Sequence, residues 1–349
     1  MEIQSHNIHN RFQLNGFHFD RDGLLQVAYS FVKEGEPYEW TIGRFLMDWM
    51  DDNDYIEAKT SGSTGAPKYI RLSKQSMVES ALATGDFFNI TVGDSALMCV
   101  SAEYIAGKMM LVRAFILGLD LYIVEPSSAP LAYDERNYDF CAMVPLQAET
   151  SLKDLHRIKT LLVGGAKISD KLKEKLKAID SNIYETFGMT ESITHFAAKD
   201  LRNDIYFRTL PGVEIRTDEN DCLHVRAPWL GEELTGNDVV RLVSDTEFDW
   251  LGRRDNVINS GGVKIFPEQI ASLIDAKINR RFFIAGLPDE RLGEKVVLII
   301  EGAPFEIDKN IFEPLSNFQT PKEIHFIPKF AETYSGKIIR KDTLQKLSL

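Results

Sequence analysis

Between residues 73 and 185, apolar segments of strand length alternate with segments of helical spacing, and this alternation limits the fold more than any other feature. Residues 73–88 read as a helix, 96–100 as a buried strand, 109–117 as a helix closed by Gly118, and 121–124 as a second strand. A strand at 160–163, a lysine-rich helix at 169–179 capped by Ser169, and a strand at 183–185 continue the order. Serine opens a helix because its hydroxyl accepts a free N–H of the first turn; glycine closes one because it takes the left-handed conformation easily. Strands that alternate with helices bury their apolar faces most economically in an α/β layered domain.

Before residue 53 a single helical candidate stands out, around Trp40, Phe45, Leu46 and Trp49. After Leu251 the texture changes. Residues 252–264 are turn-rich, Pro267 sits at a helix start followed by Ile270, Leu273 and Ile274, and 282–285, 296–300 and 324–327 read as strands. A boundary is therefore expected near Gly252. It divides the chain into a large α/β layered N-terminal domain, 1–251, and a small α+β C-terminal domain, 252–349.

Charge and cysteine content narrow the function classes. With 40 Lys and Arg against 52 Asp and Glu, the net charge of −12 disfavours nucleic acid and anionic membrane surfaces as partners. No apolar run approaches the length of a bilayer span, and the polar first ten residues hold no signal core. Cys99, Cys141 and Cys222 are widely spaced and form no CxxC pair, which fits a reducing cytoplasm. Oligomeric state is not legible at this level.

The segment Thr60-Ser61-Gly62-Ser63-Thr64-Gly65-Ala66-Pro67-Lys68 is the strongest local signal. Glycines let backbone N–H groups turn toward an anion, hydroxyls add donors, and a lysine adds charge. A Walker A loop would need Gly before the lysine and Ser or Thr after it; here Pro67 and Tyr69 flank Lys68.

Together with three later segments, this loop resembles the adenylate-forming superfamily, which includes acyl-CoA synthetases, luciferases and the adenylation domains of peptide synthetases. The later segments, in the family's order, are Tyr184-Glu185-Thr186-Phe187-Gly188-Met189-Thr190-Glu191, Gly252-Arg253-Arg254-Asp255 and Ser335-Gly336-Lys337-Ile338-Ile339-Arg340. The resemblance implies a mobile C-terminal lid and a two-step ligase. ATP and a carboxylate would give acyl-AMP and pyrophosphate; coenzyme A would then give acyl-CoA and AMP. ATP, Mg²⁺ and coenzyme A are the implied small molecules.

The resemblance also implies roles for single residues. Thr60, Ser61, Gly62, Ser63, Thr64, Gly65 and Lys68 would hold the β- and γ-phosphates. Thr190 would meet the α-phosphate, Glu191 would hold Mg²⁺, and Lys337 would bridge the carboxylate and the α-phosphate. Gly164, Gly165 and Ala166, with Glu185, Thr186, Phe187 and Gly188, would frame adenosine; Phe187 replaces the usual Tyr. For the ribose, Asp238 lies fourteen residues before Gly252 in Thr235-Gly236-Asn237-Asp238, where Asn237 is an extra residue; Asp245 is the rival, and Arg253 the second contact. Asp255 would be the hinge, and Gly261 and Gly262 would line the coenzyme A tunnel.

Residues 102–110, 191–197 and 250–267 further resemble the o-succinylbenzoate–CoA ligases of menaquinone biosynthesis. That resemblance implies Tyr104, Thr194 and His195 near the acyl group, and Lys108 or Arg113 opposite a second carboxylate. The phosphate loop starts near residue 60, earlier than in typical members, and no carrier domain follows Leu349; both favour a small acid and free coenzyme A. Another aryl- or acyl-CoA synthetase, an adenylating enzyme with a different acceptor, and a non-catalytic nucleotide-binding relative stay open.

Overall fold

Among the described residues, a 13-stranded mixed sheet spans residues 13–253, with a two-stranded sheet in the same stretch and a five-stranded sheet after it. The computed structural model describes residues 7–59, 68–332 and 338–347. A short hairpin, β1 (Gln13–Leu14) and β2 (Phe17–His18), leads into helices α1 (Arg21–Glu34) and α2 (Pro37–Met50). Strands β3 (Tyr55–Lys59) and β4 (Tyr69–Ser73) pair antiparallel, with Lys59 opposite Tyr69, so the two ends of the Gly/Ser/Thr segment meet.

The alternating region follows as α3 (Lys74–Phe88), β5 (Ser95–Met98), α4 (Ile105–Leu117), β6 (Asp120–Ile123), β7 (Tyr138–Met143), α5 (Pro145–Thr150), β8 (Ile158–Val163), α6 (Asp170–Lys177) and β9 (Asn182–Gly188). Its caps are those expected. Ser73 and Ser169 accept backbone N–H groups at the starts of α3 and α6, and α4 stops at Gly118 with φ +71°. The strands run parallel in the order β6-β5-β7-β8-β9. Passing from β6 to β7, the chain jumps back across β5. Ligand crevices in such sheets open at the carboxyl ends of the strands, beside that reversal.

Period-two alternation feeds two cores. Phe140 and Leu162 bury on the face that also packs residues of α1 to α4, whereas Cys141, Leu161 and Val163 bury with Leu172 and Leu176 of α6. Strands β10 (His195–Asp200), β11 (Phe207–Thr209), β12 (Glu214–Thr217), β13 (Cys222–Arg226), β14 (Leu234–Leu242) and β15 (Glu247–Arg253) extend the sheet antiparallel. The second sheet holds β16 (Ile258–Ser260), β17 (Val263–Ile265), β18 (Phe282–Asp289), β19 (Gly293–Glu301) and β20 (Glu323–Ile327), with α7 (Pro267–Asp275) and α8 (Arg340–Leu344). In β19, Val296, Leu298 and Ile300 join one cluster, and Val297 and Ile299 another.

Three features differ from the sequence expectation. Two helices, not one, precede residue 53; strand β7 joins the parallel set; and residues 252–264 include the hairpin β16–β17. Among the described residues, no helix is long and apolar enough to cross a membrane.

The helical pair α1–α2 meets at Gly43, where a Cβ would lie 2.7 Å from the Ala28 carbonyl oxygen and 2.9 Å from Phe31 Cβ and Val32 Cγ2. Gly43→Val is expected to force the helices apart at a cost of about 1–3 kcal/mol. A lowered urea midpoint with unchanged slope checks this; an unchanged midpoint would contradict the close approach.

Candidate functional site

The candidates of residues 164–166 and 185–188 lie where parallel strands β8 and β9 end. Val163 of β8 pairs with Glu185 of β9, so the loops that follow lie side by side. A Cβ on Gly164 would sit 2.2 Å from the Thr186 hydroxyl, and Gly165 takes φ +79°. Gly164 therefore lets the loop lie against β9 where a side chain would not, and Gly165 supplies the left-handed turn. Gly188 pairs with His195 of β10, and a Cβ there would lie 2.4 Å from the Thr194 carbonyl oxygen. Phe187 is half-buried, its ring 5.6, 5.3 and 5.3 Å from those of Phe196, Phe207 and Phe248.

Glu185 is buried between two ammonium groups, Lys173 at 2.9 Å and Lys199 at 3.0 Å. Burial pushes its pKa up, but Lys199 and Lys173 outweigh that and hold it below the ordinary 4.5.

Residues 189–193 form a turn, with Thr190 half-buried and Glu191 exposed. Ile193 has φ +69°, a left-handed conformation that for a β-branched residue costs on the order of 1–3 kcal/mol. The turn is braced: Met189 N–H donates to Ser192 Oγ at 2.9 Å, and Trp229 Nε1 donates to the Ser192 carbonyl at 3.2 Å. Among the described residues no group of three acidic, His or Cys side chains forms a metal cage. An exposed single carboxylate such as Glu191 suits Mg²⁺ that arrives on phosphate oxygens, because that ion keeps most of its other ligands as waters and phosphates.

Asp238 and Arg253 pair across β14 and β15, with Arg253 Nη1 3.8 Å from Oδ2. Trp250 Nε1 donates to Asp238 Oδ1 at 2.9 Å. Burial holds the Asp238 carboxyl above its usual range, against the pull of Trp250 and Arg253. Asp245 lies in the exposed turn at the other end of the same strand pair. Asp255 is exposed and accepts from Asn237 Nδ2 at 3.0 Å. Gly261 and Gly262, with φ +58° and +81°, form the β16–β17 turn.

The acyl-side candidates separate on opposite faces of α4. Lys108 turns to α2, its ammonium 5.1 Å from the Phe45 ring centre and within the field of Asp48. Arg113 turns to the residue just before β10, where Nη2 donates to Thr194 Oγ1 at 2.6 Å. Arg113 is 2% exposed, and its Nε has no partner among the described residues. Burial draws its pKa down to about 9, which leaves it charged at neutral pH. His195 Nδ1 lies 3.1 Å from Thr194 Oγ1, and Nε2 has no partner among the described residues. Burial, then Arg113, pushes its pKa well down, so the imidazole is neutral. Tyr104 is half-exposed at the start of α4, beside Lys59.

Lys68 is exposed just before β4. Thr60, Ser61, Gly62, Ser63, Thr64, Gly65 and Lys337 lie outside the described residues. Sequence reasoning missed Trp250, Trp229 and the Arg113–Thr194 contact. Each joins residues far apart in the chain, and none carries a local signal.

The model of the AMP-binding enzyme family matches residues 59–232. A solved structure, an acyl-CoA synthetase (AMP-forming)/AMP-acid ligase II-like protein from Dyadobacter fermentans, is 35% identical and covers 93% of this chain and 98% of its own, with a TM-score of 0.62. The chain therefore belongs to the AMP-binding enzyme family, and its fold is that of the adenylate-forming enzymes. The 2-succinylbenzoate–CoA ligase of Lactococcus lactis is 23% identical over 84% of this chain and 72% of its own. The o-succinylbenzoate coenzyme A synthetase of Bacillus subtilis, solved with ATP and magnesium ion, shares the fold at 16% identity, covering 95% of this chain and 83% of its own, with a TM-score of 0.75.

Glu185→Gln is expected to leave two ammonium groups facing a neutral amide and to destabilise the fold by about 3 kcal/mol. The sign with pH follows from the depressed pKa. The wild-type advantage is fully present above 4.5 and disappears as the pH falls through the folded value, when the carboxylate protonates. Urea unfolding of both proteins between pH 3 and 7 checks this; a difference that does not shrink in acid would refute the charge assignment.

Proposed function

We propose that the chain is an ATP-dependent, AMP-forming acid–CoA ligase whose acid is a small aromatic diacid of the o-succinylbenzoate type. The observation that carries the choice of acid is Arg113. A guanidinium taken out of water without an anion is held at a loss of several kcal/mol. Arg113 faces no carboxylate among the described residues, and beside it stand the Thr194 hydroxyl and a neutral His195 whose Nε2 has no partner among the described residues. A substrate's second carboxylate would meet Arg113, and its ketone or ring could meet His195. Thr194 and His195 touch Gly188, so this cluster adjoins the proposed adenosine loops. Lys108, turned toward Asp48, drops out of the role.

The rest of the machinery follows the family roles. Residues 60–65 and Lys68 would grip the β- and γ-phosphates, and Thr190 the α-phosphate. Mg²⁺, held by Glu191, would offset phosphate charge as the carboxylate attacks. With Oδ1 taken by Trp250, Asp238 keeps Oδ2 for a ribose hydroxyl, and Arg253 stands beside it. Asp238 fits this role better than Asp245. Gly164 to Ala166 and Glu185 to Gly188 would frame adenine. Residues 252–349 would act as the lid, turning at Asp255 to exchange Lys337 for the Gly261–Gly262 turn and admit coenzyme A. Cytoplasmic location and the absence of nucleic-acid or membrane partners belong to the same reading.

Two outcomes are expected. Lys337→Ala should slow pyrophosphate release by on the order of 10²–10³-fold, as for loss of one preorganised charge contact. Thioester formation from supplied acyl-AMP should change far less; equal loss in both steps would refute the role.

For the acid, kcat/KM for o-succinylbenzoate should exceed those for benzoate, 4-phenylbutyrate and octanoate by at least about 10²-fold, because an acid lacking the polar groups leaves their partners unpaired. Arg113→Leu should erase most of that preference and leave the monoacids nearly unchanged. Equal turnover of benzoate or octanoate by the wild type would leave only a general acyl-CoA ligase.

A further inference from the structure

Two side chains beside the proposed nucleotide contacts reach the hinge region, Lys167 to α7 beyond it and Asn237 of β14 to Asp255 at the hinge itself. Lys167 directly follows Ala166; its Nζ donates to the Glu268 carbonyl at 3.1 Å and to Ser272 Oγ, both on α7. Its ammonium also lies 5.8 Å from the Trp250 ring centre, the indole that holds Asp238. Asn237 directly precedes Asp238 and donates to Asp255 at 3.0 Å. Asn237 is the extra residue in the Thr-Gly-Asp pattern, so this hydrogen bond comes from a departure of this chain from its family's motif.

The pose these contacts hold has a definite character. A Cβ on Gly262 would meet nothing within 4 Å, and one on Gly261 would meet only Leu292 of the same hairpin's sheet. Among the described residues, the turn proposed to admit the thiol is therefore not packed against the adenosine loops.

We infer that Lys167 and Asn237 are positioning residues, a two-point latch by which the adenosine loops hold the C-terminal lobe with its thiol turn withdrawn. The inference rests on the lobe alternation proposed above. Because each latch residue neighbours a proposed nucleotide contact, movement of those loops as the nucleotide changes loosens the hold. The lobe is then released toward thioester formation.

The test uses the full chain as Lys167→Met, Asn237→Ala and the double variant, with Lys167→Arg as the conservative control. Hydrogen–deuterium exchange over residues 254–265, which needs no substrate, should quicken about three- to tenfold in the double variant, the factor for loss of one or two modest hydrogen bonds. Exchange in β7 and β8 should be unchanged. In single turnovers with o-succinylbenzoate, pyrophosphate release should slow by a similar factor, while thioester formation from supplied acyl-AMP holds or quickens. Lys167→Arg should behave as wild type. Unchanged exchange in the double variant, or an equal fall in both half-reactions, overturns the latch. Asp255→Pro separates the two ideas, since proline fixes φ at the hinge. If that variant makes thioester at the wild-type rate, the alternation itself fails. If it is blocked while the latch variants are silent, only the latch fails.

Discussion

The parallel pairing of β8 with β9 is the constraint on which the rest of the site depends. Val163 opposite Glu185 sets Gly164 beside Thr186 at one edge of the sheet. Side chains along a strand alternate faces, so a slip of one residue would send Leu161 and Val163 to the wrong core and part the two loops. Glu185 holds the same register by another route. Its carboxylate ties β9 to α6 through Lys173 and to β10 through Lys199. Hydrophobic alternation and a buried charge triad thus specify one alignment. From the end of β9, the braced turn 189–193 then folds β10 back so that Gly188 lies against Thr194 and His195.

What could be read before folding was what local physics controls. The caps at Ser73, Gly118 and Ser169 act within one turn, so their signals sit in a few neighbouring residues. The strands of the alternating region are buried on both faces and read as continuous apolar runs. Helix α1 was less visible because its buried stripe is thin, with only Leu24 and Ala28 fully buried. Strand β7 hid behind the mixed Tyr-Asp-Phe-Cys pattern of 138–141, where Asp139 is taken up by Ser95 N–H and hydroxyl. The antiparallel strands carry charged residues on their open face, such as Glu214 and Arg216 in β12, and so resemble loops in sequence.

The site was legible in the same uneven way. The glycines, the Thr190–Glu191 pair and the spacing of Asp238 from Gly252 are linear patterns, and they can be found by counting. The direction of a side chain on α4 cannot. Lys108 and Arg113 are five residues apart, about 140° around a helix, so one must face away when the other faces the cleft. Only the packing around α4, which sets Lys108 against Phe45 and Arg113 against Thr194, decides which.

That decision has a chemical consequence beyond geometry. Arg113 and His195 lie close enough that the guanidinium helps to keep the imidazole neutral. The pair therefore presents one fixed positive charge and one uncharged ring, not two cations. An anion entering beside Arg113 meets a single compensating charge, and the neutral ring can donate or accept a hydrogen bond according to its tautomer. On the proposed reading, a monocarboxylate would spend its only charge at the α-phosphate and leave Arg113 unmatched. A diacid would satisfy both ends, and the buried arginine would then select through the penalty it imposes on acids that cannot reach it.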